Sequence, residues 1–271
     1  MVEKVVTVKG ILRAVTPRRV RLLRRRLLQL RSEAPLYHFL LHPPREIGRA
    51  QALDVARRFV QVHDHVYCAH THAEMDTIAR AIFAVPTSVR GCIVEAGCFK
   101  GGSTAKLSIV AKMTGRKLFV FDSFEGLPEN AEQHGVTIHG ETPNFSKGRY
   151  EGALDEVRDN VRRFGEIEAC EFVKGWFDRT MAGFREQIAI AFIDVDLVAS
   201  TKTCLQYLYP LLAPGSSIFS HDGHLPLCIE AMDDDEFWVR LVGCPKPPIP
   251  GLGTTKLVRV TKPSANSALR G

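Results

Sequence analysis

Short apolar runs alternate with helix-length segments along residues 91–219, and this alternation constrains the fold of the chain most. The apolar runs are Gly91–Ala96, Lys117–Phe121, Cys170–Val173, Ile188–Ile193 and Ser216–Phe219. Segments of helical length lie between them at Ser103–Met113, Leu154–Phe164 and Ser200–Leu212, and Lys256–Thr261 reads as one more strand. Strands that alternate with helices predict β-α-β units. The fold class is therefore α/β, with a mainly parallel sheet and helices on both faces.

The charge of the chain is distributed unevenly. Lys+Arg 36 and Asp+Glu 30 give a net charge of +6, but the first 31 residues alone carry +9 and leave −3 for the rest. A slightly acidic main domain is atypical of a nucleic-acid enzyme, so no nucleic-acid partner is expected. Seven cysteines without a C-x-x-C pair favour a reducing, cytoplasmic location over a disulfide scaffold or a zinc ribbon.

The basic N-terminal segment predicts a separate helical extension. Thr16-Pro17 is typical of a helix start, and the helix to about Arg31 has a leucine stripe among its arginines. The stripe can pack on its own domain or on a second subunit, which fits a homodimer. Alternatively, the helix lies on an anionic membrane surface or acts as an organelle-targeting segment. We divide the chain into this extension (1–58), a main domain (59–262) and a frayed tail (263–271).

The segment Ile93–Thr104 is the strongest local signal. An apolar strand runs into a glycine-rich turn, and a helix follows. Ligands of open α/β sheets bind at the carboxyl ends of such strands. Glu95 stands where a dinucleotide motif has its first glycine, and its carboxylate would repel a pyrophosphate. A ligand with an ammonium group, a sulfonium and a ribose fits better, which points to S-adenosylmethionine and disfavours a dehydrogenase.

Carboxylates follow three further strands. Asp122 ends the second strand, where it can accept hydrogen bonds from both ribose hydroxyls or cap the turn that follows. Asp194 and Asp196 come after the run Ile188–Ile193, and residues two apart on a strand share a face. Asp222 follows the next strand. Adjacent strand ends would bring Asp194 and Asp222 together as oxygen ligands for Mg²⁺, with helix capping as the alternative role.

These motifs stand in an order that resembles the macrocin O-methyltransferase family of S-adenosylmethionine-dependent enzymes. The resembling stretches are Ile93–Thr104, Val120–Pro128, Lys147–Gly152, Val157–Val161, Gly175–Phe177 and Ile193–Thr201. The resemblance implies that the main domain has a Rossmann-like methyltransferase fold. It also implies Mg²⁺-assisted transfer of a methyl group from S-adenosylmethionine to a small-molecule hydroxyl, usually on a sugar of a natural product.

The resemblance also implies which residues form the site. The cofactor-binding residues are Glu95, Ala96, Gly97, Gly101, Ser103, Asp122, Ser123, Gly175, Trp176 and Phe177. The metal positions of the family fall on Asp194, Asp222 and Gly223, and glycine offers no carboxylate. Asp196 is our choice for the third ligand, with His221, His224, water or weaker metal binding as alternatives.

A base must accept the proton of the acceptor hydroxyl. The candidates are Asp194 first, then His139 or His221. His139 lies in the polar insert from Glu129 to Tyr150, where a lid over the substrate is expected, although an ordinary exposed loop histidine is the alternative reading. We interpret a further histidine cluster (His63, His65, His70 and His72) as surface or subunit-contact residues rather than a metal site.

Two other functions stay open at this stage. One is an N-methyltransferase, or a methyltransferase that acts on a lipid or glycan at a membrane surface, and the basic N-terminal helix fits the membrane variant. The glycine at position 223 fits a catalytically inactive relative that only binds a nucleoside or a partner. The sequence does not name the acceptor.

Overall fold

A six-stranded sheet forms the centre of the computed structural model, which describes residues 34–264. The strands are β1 Cys92–Ala96, β2 Leu118–Asp122, β3 Cys170–Lys174, β4 Ile188–Ile193, β5 Leu212–Ser220 and β6 Val258–Thr261. Their order is β3-β2-β1-β4-β5-β6, and only the β5–β6 pair is antiparallel. Because the strand order reverses between β1 and β4, the helices that follow these two strands pack on opposite faces of the sheet, and a crevice is left at the carboxyl ends of the strands. The predicted α/β class is confirmed.

Helices cover both faces of the sheet. Residues 34–41 are helical (α1). The helices that follow are α2 Arg49–His65, α3 His72–Phe83, α4 Gly102–Met113, α5 Leu154–Phe164, α6 Phe177–Thr180, α7 Val198–Leu208, α8 Pro226–Asp233 and the single turn α9 Asp235–Phe237, which runs into a π-helical turn at Trp238–Val242. Buried side chains of α2 to α5 form the core on one face, and those of α7 and α8 form the core on the other. Within residues 34–264, no helix has both the length and the apolar character needed to span a membrane.

The boundary between α7 and β5 differs from the sequence prediction. The helix predicted to reach Leu212 ends at Leu208, and a 3₁₀ turn follows at Tyr209–Leu211. Pro210 lacks an N–H and cannot continue the helical hydrogen bonds. The strand therefore begins at Leu212, earlier than the predicted Ser216.

The predicted N-terminal extension (1–58) and the main domain share a core. The predicted basic helix at residues 16–31 lies outside the described residues. The predicted boundary between residues 58 and 59 falls within α2. Val55, Phe59 and Val62 of this helix are buried in the same core as Ile93 of β1.

The insert between β2 and α5 has no helix or strand in residues 123–153. Backbone hydrogen bonds between Leu127 and Arg149 and between Gly148 and Leu127 close its base. Glu132 anchors its middle, because its carboxylate accepts hydrogen bonds from the Val198 and Ala199 amides at 2.8 and 3.0 Å. These amides are the free donors at the start of α7, where a carboxylate is stabilising. The insert is therefore closed on itself at its base and fastened to the start of α7 at its middle.

Candidate active site

A cavity of about 490 Å³ opens at the carboxyl ends of the central strands. The loop after β1, the end of β2, the loop after β4 and the insert all contribute to its wall. Its size falls in the range of pockets that hold small molecules and cofactors. The cavity lies at the carboxyl ends of the strands, where the sequence predicts a ligand, and beside the point where the strand order reverses.

Gly97 allows the loop after β1 to meet the loop after β4. Its φ is +81°, in the left-handed region, and a Cβ on it would meet the backbone oxygen of Asp194 at 2.0 Å. The Asp194 amide donates to the Ala96 carbonyl at 3.0 Å, so the two loops are joined by their backbones. Any side chain at position 97 would force them apart.

Asp122 ties the end of β2 to the same loop. Its two carboxylate oxygens accept hydrogen bonds from the amides of Cys98 and Phe124, each at 2.7 Å. The second bond caps the turn after β2, so the capping role is present. The residue also lines the cavity, and a carboxylate has further lone pairs with which to accept ligand hydroxyls.

Glu95 lies on β1 and has no solvent exposure. Within the described residues, neither of its carboxylate oxygens makes a hydrogen bond of normal geometry, although the hydroxyls of Ser103 and Thr104 lie nearby. Burial raises its pKa to about 7, although the hydroxyls of Ser103 and Thr104 act in the opposite direction. A buried carboxylate without a partner is costly unless a donor or a positive charge satisfies it. It is therefore well suited to a cationic ligand next to the cavity.

The cavity brings together most of the predicted cofactor residues. Those that line it are Gly97, Ser103, Asp122, Ser123, Gly175, Trp176 and Phe177. Glu95, Ala96 and Gly101 do not line it. The Ala96 carbonyl accepts the backbone hydrogen bond that joins the two loops, and Gly101 is the N-cap of α4, with a φ of +80°.

Three carboxylates gather at the ends of β4 and β5. Oxygens of Asp194, Asp196 and Asp222 lie within 4.8 Å of one another. The grouping agrees with the predicted proximity, but its cause differs, because β4 ends at Ile193 and Asp196 has a φ of +61° in the following turn. Burial and repulsion by Asp194 raise the pKa of Asp222 to about 7, and burial with repulsion by both neighbours raises that of Asp196 well above its usual value.

Two imidazoles contact Asp194, one at each oxygen of its carboxylate. His70 Nε2 donates to Oδ2 at 2.9 Å, and His221 Nδ1 lies 3.3 Å from Oδ1. The other nitrogen of His221 contacts Glu74 Oε1 at 3.2 Å. Although burial opposes ionisation, His221 and His70 hold the pKa of Asp194 well below its usual range. Although burial favours neutral imidazoles, the carboxylates raise the pKa of His221 to about 11 and that of His70 to about 9.

Gly223 stands at the sequence position of the family's third acidic ligand, and it is tightly surrounded. A Cβ on it would meet Val258 Cγ1 at 2.4 Å and the Thr255 carbonyl oxygen at 2.8 Å. A side chain therefore has no room at this position. The three clustered carboxylates still offer the oxygen ligands that a hard divalent cation prefers, and the raised pKa values of Asp196 and Asp222 reflect negative charge that a cation would offset. The residues present thus fit a magnesium ion without Gly223.

His139 lies apart from the carboxylate cluster. It is exposed, does not line the cavity, and stacks on His224 with ring centroids 5.9 Å apart. His224 lines the cavity, and burial lowers its pKa to about 4, which leaves it neutral at physiological pH. The insert itself contributes to the cavity wall through Thr137, Phe145 and Tyr150, as expected of a lid.

The sequence interpretation of the histidine cluster is wrong for His70 and His72. Both side chains are buried. The seven-residue spacing would place these histidines on one helix face, but α2 ends at His65 and α3 begins only at His72. His70 lies in the loop between the helices and reaches Asp194, a contact 124 positions away in the chain. Sequence reasoning missed His70 and Glu74 as site residues. The one available signal was Thr71-His72-Ala73-Glu74, a capping box that starts a new helix and breaks the seven-residue histidine spacing.

Comparison with known proteins decides the family. The sequence model of the family described as macrocin-O-methyltransferase (TylF) matches residues 34–237. The chain belongs to this family. The resemblance read from the motifs is thereby confirmed, and membership of the macrocin-O-methyltransferase family supports a methyltransferase activity.

Two relatives of this family member are named as O-methyltransferases and come from Streptomyces. One is the 8-demethyl-8-(2,3-dimethoxy-alpha-L-rhamnosyl)-tetracenomycin-C 4'-O-methyltransferase of Streptomyces olivaceus, 32% identical over 176 residues, with 61% of this chain and 67% of that enzyme covered. The other is the demethyldecarbamoylnovobiocin O-methyltransferase of Streptomyces niveus, 27% identical over 161 residues, with 55% of this chain and 60% of that enzyme covered.

Solved structures of methyltransferases share the fold. The O-methyltransferase NovP superposes with a TM-score of 0.59 at 23% identity, covering 77% of this chain and 89% of that chain. The calicheamicin methyltransferase CalS11 superposes with a TM-score of 0.53 at 16% identity, covering 85% of this chain and 91% of that chain. The predicted Rossmann-like methyltransferase fold is confirmed.

Proposed function

We propose that the protein is an S-adenosylmethionine-dependent O-methyltransferase that methylates a hydroxyl of a sugar-bearing natural product. One observation carries the proposal. A single cavity holds the glycine loop after β1, the Asp122 carboxylate and the Asp194 carboxylate with its two imidazoles. In this proposal a donor site and a site that orients the acceptor hydroxyl adjoin each other, as methyl transfer requires.

The β1–β2 part of the cavity suits the methyl donor. S-adenosylmethionine supplies an electrophilic methyl group on a sulfonium. Asp122 would accept hydrogen bonds from its ribose hydroxyls, and Trp176 and Phe177 would offer flat apolar surfaces to its base. Glu95 would stabilise the positive charges of the ligand through the wall of the cavity. These roles use residues that lie in or directly behind the cavity.

Asp194 would act on the acceptor. His70 and His221 keep its carboxylate ionised and fix its orientation, so it can accept a hydrogen bond from the acceptor hydroxyl. As the new carbon–oxygen bond forms, the hydroxyl proton becomes much more acidic than in a free alcohol. A carboxylate of low basicity can then accept it. His221, whose pKa is about 11, is protonated at neutral pH and serves to position Asp194 rather than to act as a base.

Asp194, Asp196 and Asp222 are the residues that would hold Mg²⁺. When bound there, the ion would polarise the acceptor hydroxyl and lower its pKa. The acceptor class is proposed from the two relatives, one of which is named for a rhamnosyl tetracenomycin and the other for a novobiocin precursor. Phe145 and Tyr150 of the insert add aromatic surface on which a sugar or a planar aglycone can rest.

Calorimetric titration with S-adenosylhomocysteine tests the donor site. We expect micromolar binding, and we expect Glu95→Gln to weaken it about tenfold or more, because the negative charge that stabilises the ligand ammonium through the cavity wall is lost. The affinity of the natural protein should fall about fivefold from pH 7 to pH 6, since protonation of a carboxyl with a pKa of about 7 competes with a cationic ligand. Glu95→Gln should remove this pH dependence.

Glu168→Gln is the matched control, because Glu168 is exposed and lies outside the cavity. It should bind like the natural protein at both pH values. Absence of binding by the natural protein, with and without Mg²⁺, would overturn the proposed function. The acceptor is then tested with S-adenosylmethionine and the rhamnosyl tetracenomycin or demethyldecarbamoylnovobiocin scaffold, with gain of one methyl group read by mass spectrometry.

A further inference from the structure

Lys106 is a fully buried lysine in the middle of α4, with no solvent exposure. Its ammonium donates to Cys68 Sγ at 3.5 Å and lies 5.9 Å from the centre of the Phe59 ring. Among residues 34–264, no carboxylate lies within ion-pair distance of it. A buried ammonium is costly without a negative partner. The sulfur of Cys68 is the one group in its contacts that can carry the compensating charge.

Cys68 stands in the loop between α2 and α3, at the wall of the cavity. Lys106 faces it from α4, His63 from α2, and His70 from its own loop with Nδ1 at 3.7 Å. Although burial favours the neutral thiol, the hydrogen bonds of His63 and His70 and the charge of Lys106 lower the pKa of Cys68 to about 5. Three cationic or hydrogen-bonding groups from three elements thus surround one sulfur.

The other cysteines of the described chain lie in the opposite kind of environment. Burial raises the pKa of Cys92 and Cys170 to about 12, and it also raises the pKa of each remaining thiol. These remaining thiols are Cys98, Cys204, Cys228 and Cys244. Cys68 is therefore distinguished by its neighbours and not by its exposure, since Cys170 and Cys244 are also partly exposed.

We propose that Cys68 is a thiolate paired with Lys106 and that it is a site of covalent modification by small electrophiles that enter the cavity. The thiolate sulfur attacks the electrophilic carbon, a carbon–sulfur bond forms, and the leaving group departs with its bonding electron pair. With iodoacetamide the leaving group is iodide, and no proton has to be removed from sulfur. The thioether that results is neutral, so Lys106 loses its compensating charge and the adduct occupies the cavity.

The proposal goes beyond the methyltransferase reaction and does not depend on it, because it needs neither a methyl donor nor an acceptor. The same thiolate touches His70, which holds Asp194. Modification would therefore also disturb the residue that positions the Asp194 carboxylate.

Alkylation of the folded full-length protein with iodoacetamide, mapped by peptide mass spectrometry at pH 6 and pH 8, tests the proposal. The alkylation rate of a cysteine that is ionised at both pH values should change less than about twofold between them, since its ionised fraction hardly changes. An ordinary thiol should slow about a hundredfold over the same two pH units. We expect the first behaviour for Cys68 and the second for Cys244, which serves as the control within each sample.

Lys106→Met tests the pairing. The substitution removes the charge and keeps the length of the side chain, so the rate of Cys68 alkylation at pH 6 should drop about tenfold or more as the thiolate loses its partner. A melting curve shows whether this variant folds. If it does not fold, the pH dependence in the natural protein decides alone. A Cys68 rate that falls like that of Cys244, or one that Lys106→Met leaves unchanged, would overturn the proposal.

Discussion

Asp194→Asn is expected to lower the rate of methyl transfer by about 10²–10⁴-fold, the usual contribution of a positioned general base. The amide keeps the shape of the carboxylate but cannot accept the acceptor proton, and it offers one oxygen instead of two to His70 and His221. The affinity for S-adenosylhomocysteine should change little, because Asp194 lies on the acceptor side of the cavity. Steady-state rates with S-adenosylmethionine and a rhamnosylated acceptor, together with calorimetry, measure both quantities.

Asp64→Asn is the control for charge removal, since Asp64 is exposed on α2 and does not line the cavity. Its rate should equal that of the natural protein. Full activity of Asp194→Asn would refute the role of Asp194 as the base. Activity that depends on Asp194 would, in turn, exclude the alternative that the protein is an inactive relative.

Gly97→Ala is expected to destabilise the protein by about 3 kcal/mol or more and to abolish S-adenosylhomocysteine binding. Two costs add at this position. The left-handed φ of +81° disfavours any side chain, and the new Cβ would meet the Asp194 carbonyl oxygen at 2.0 Å. The Cβ is fixed to the backbone and the oxygen belongs to a backbone carbonyl, so rotation of a side chain cannot relieve this contact. Urea unfolding gives the free-energy change.

Gly115→Ala separates the two costs. Gly115 also has a left-handed φ, +65°, but a Cβ on it meets nothing within 4 Å. This variant should lose only about 1–2 kcal/mol, the cost of the left-handed conformation itself, and should still bind S-adenosylhomocysteine. Equal losses for the two variants would mean that the close approach of the loops after β1 and β4 contributes nothing.

The sheet and the carboxylates at its edge could be predicted from the sequence, because both depend on local order. Apolar runs of strand length precede Asp122, Asp194 and Asp222, and parallel strands place their carboxyl ends at one edge. The turn after β1 was predictable for the same reason. A strand, a glycine loop and a helix follow one another within twelve residues at Ile93–Thr104.

The surroundings of Asp194 could not be predicted, because they come from distant elements. His70 and Glu74 precede the first strand and reach the site only through the packing of α3 beside the sheet. Lys106 was equally hidden. A lysine in an otherwise apolar helix is expected at a surface, and only the position of Cys68 in the folded chain explains its burial.

The packing around Gly223 also constrains how this protein can change over evolution. A Gly223→Asp substitution would place a carboxylate where the family pattern has one, but the Val258 side chain and the carbonyl oxygens of Thr255 and Lys256 occupy the required space. The aspartate would become tolerable only after the Thr255–Val258 segment had moved, and the segment is joined to Gly223 by a backbone hydrogen bond to Lys256. The acidic ligand and the path of the last loop must therefore change together. No single substitution restores the family's ligand set in this chain.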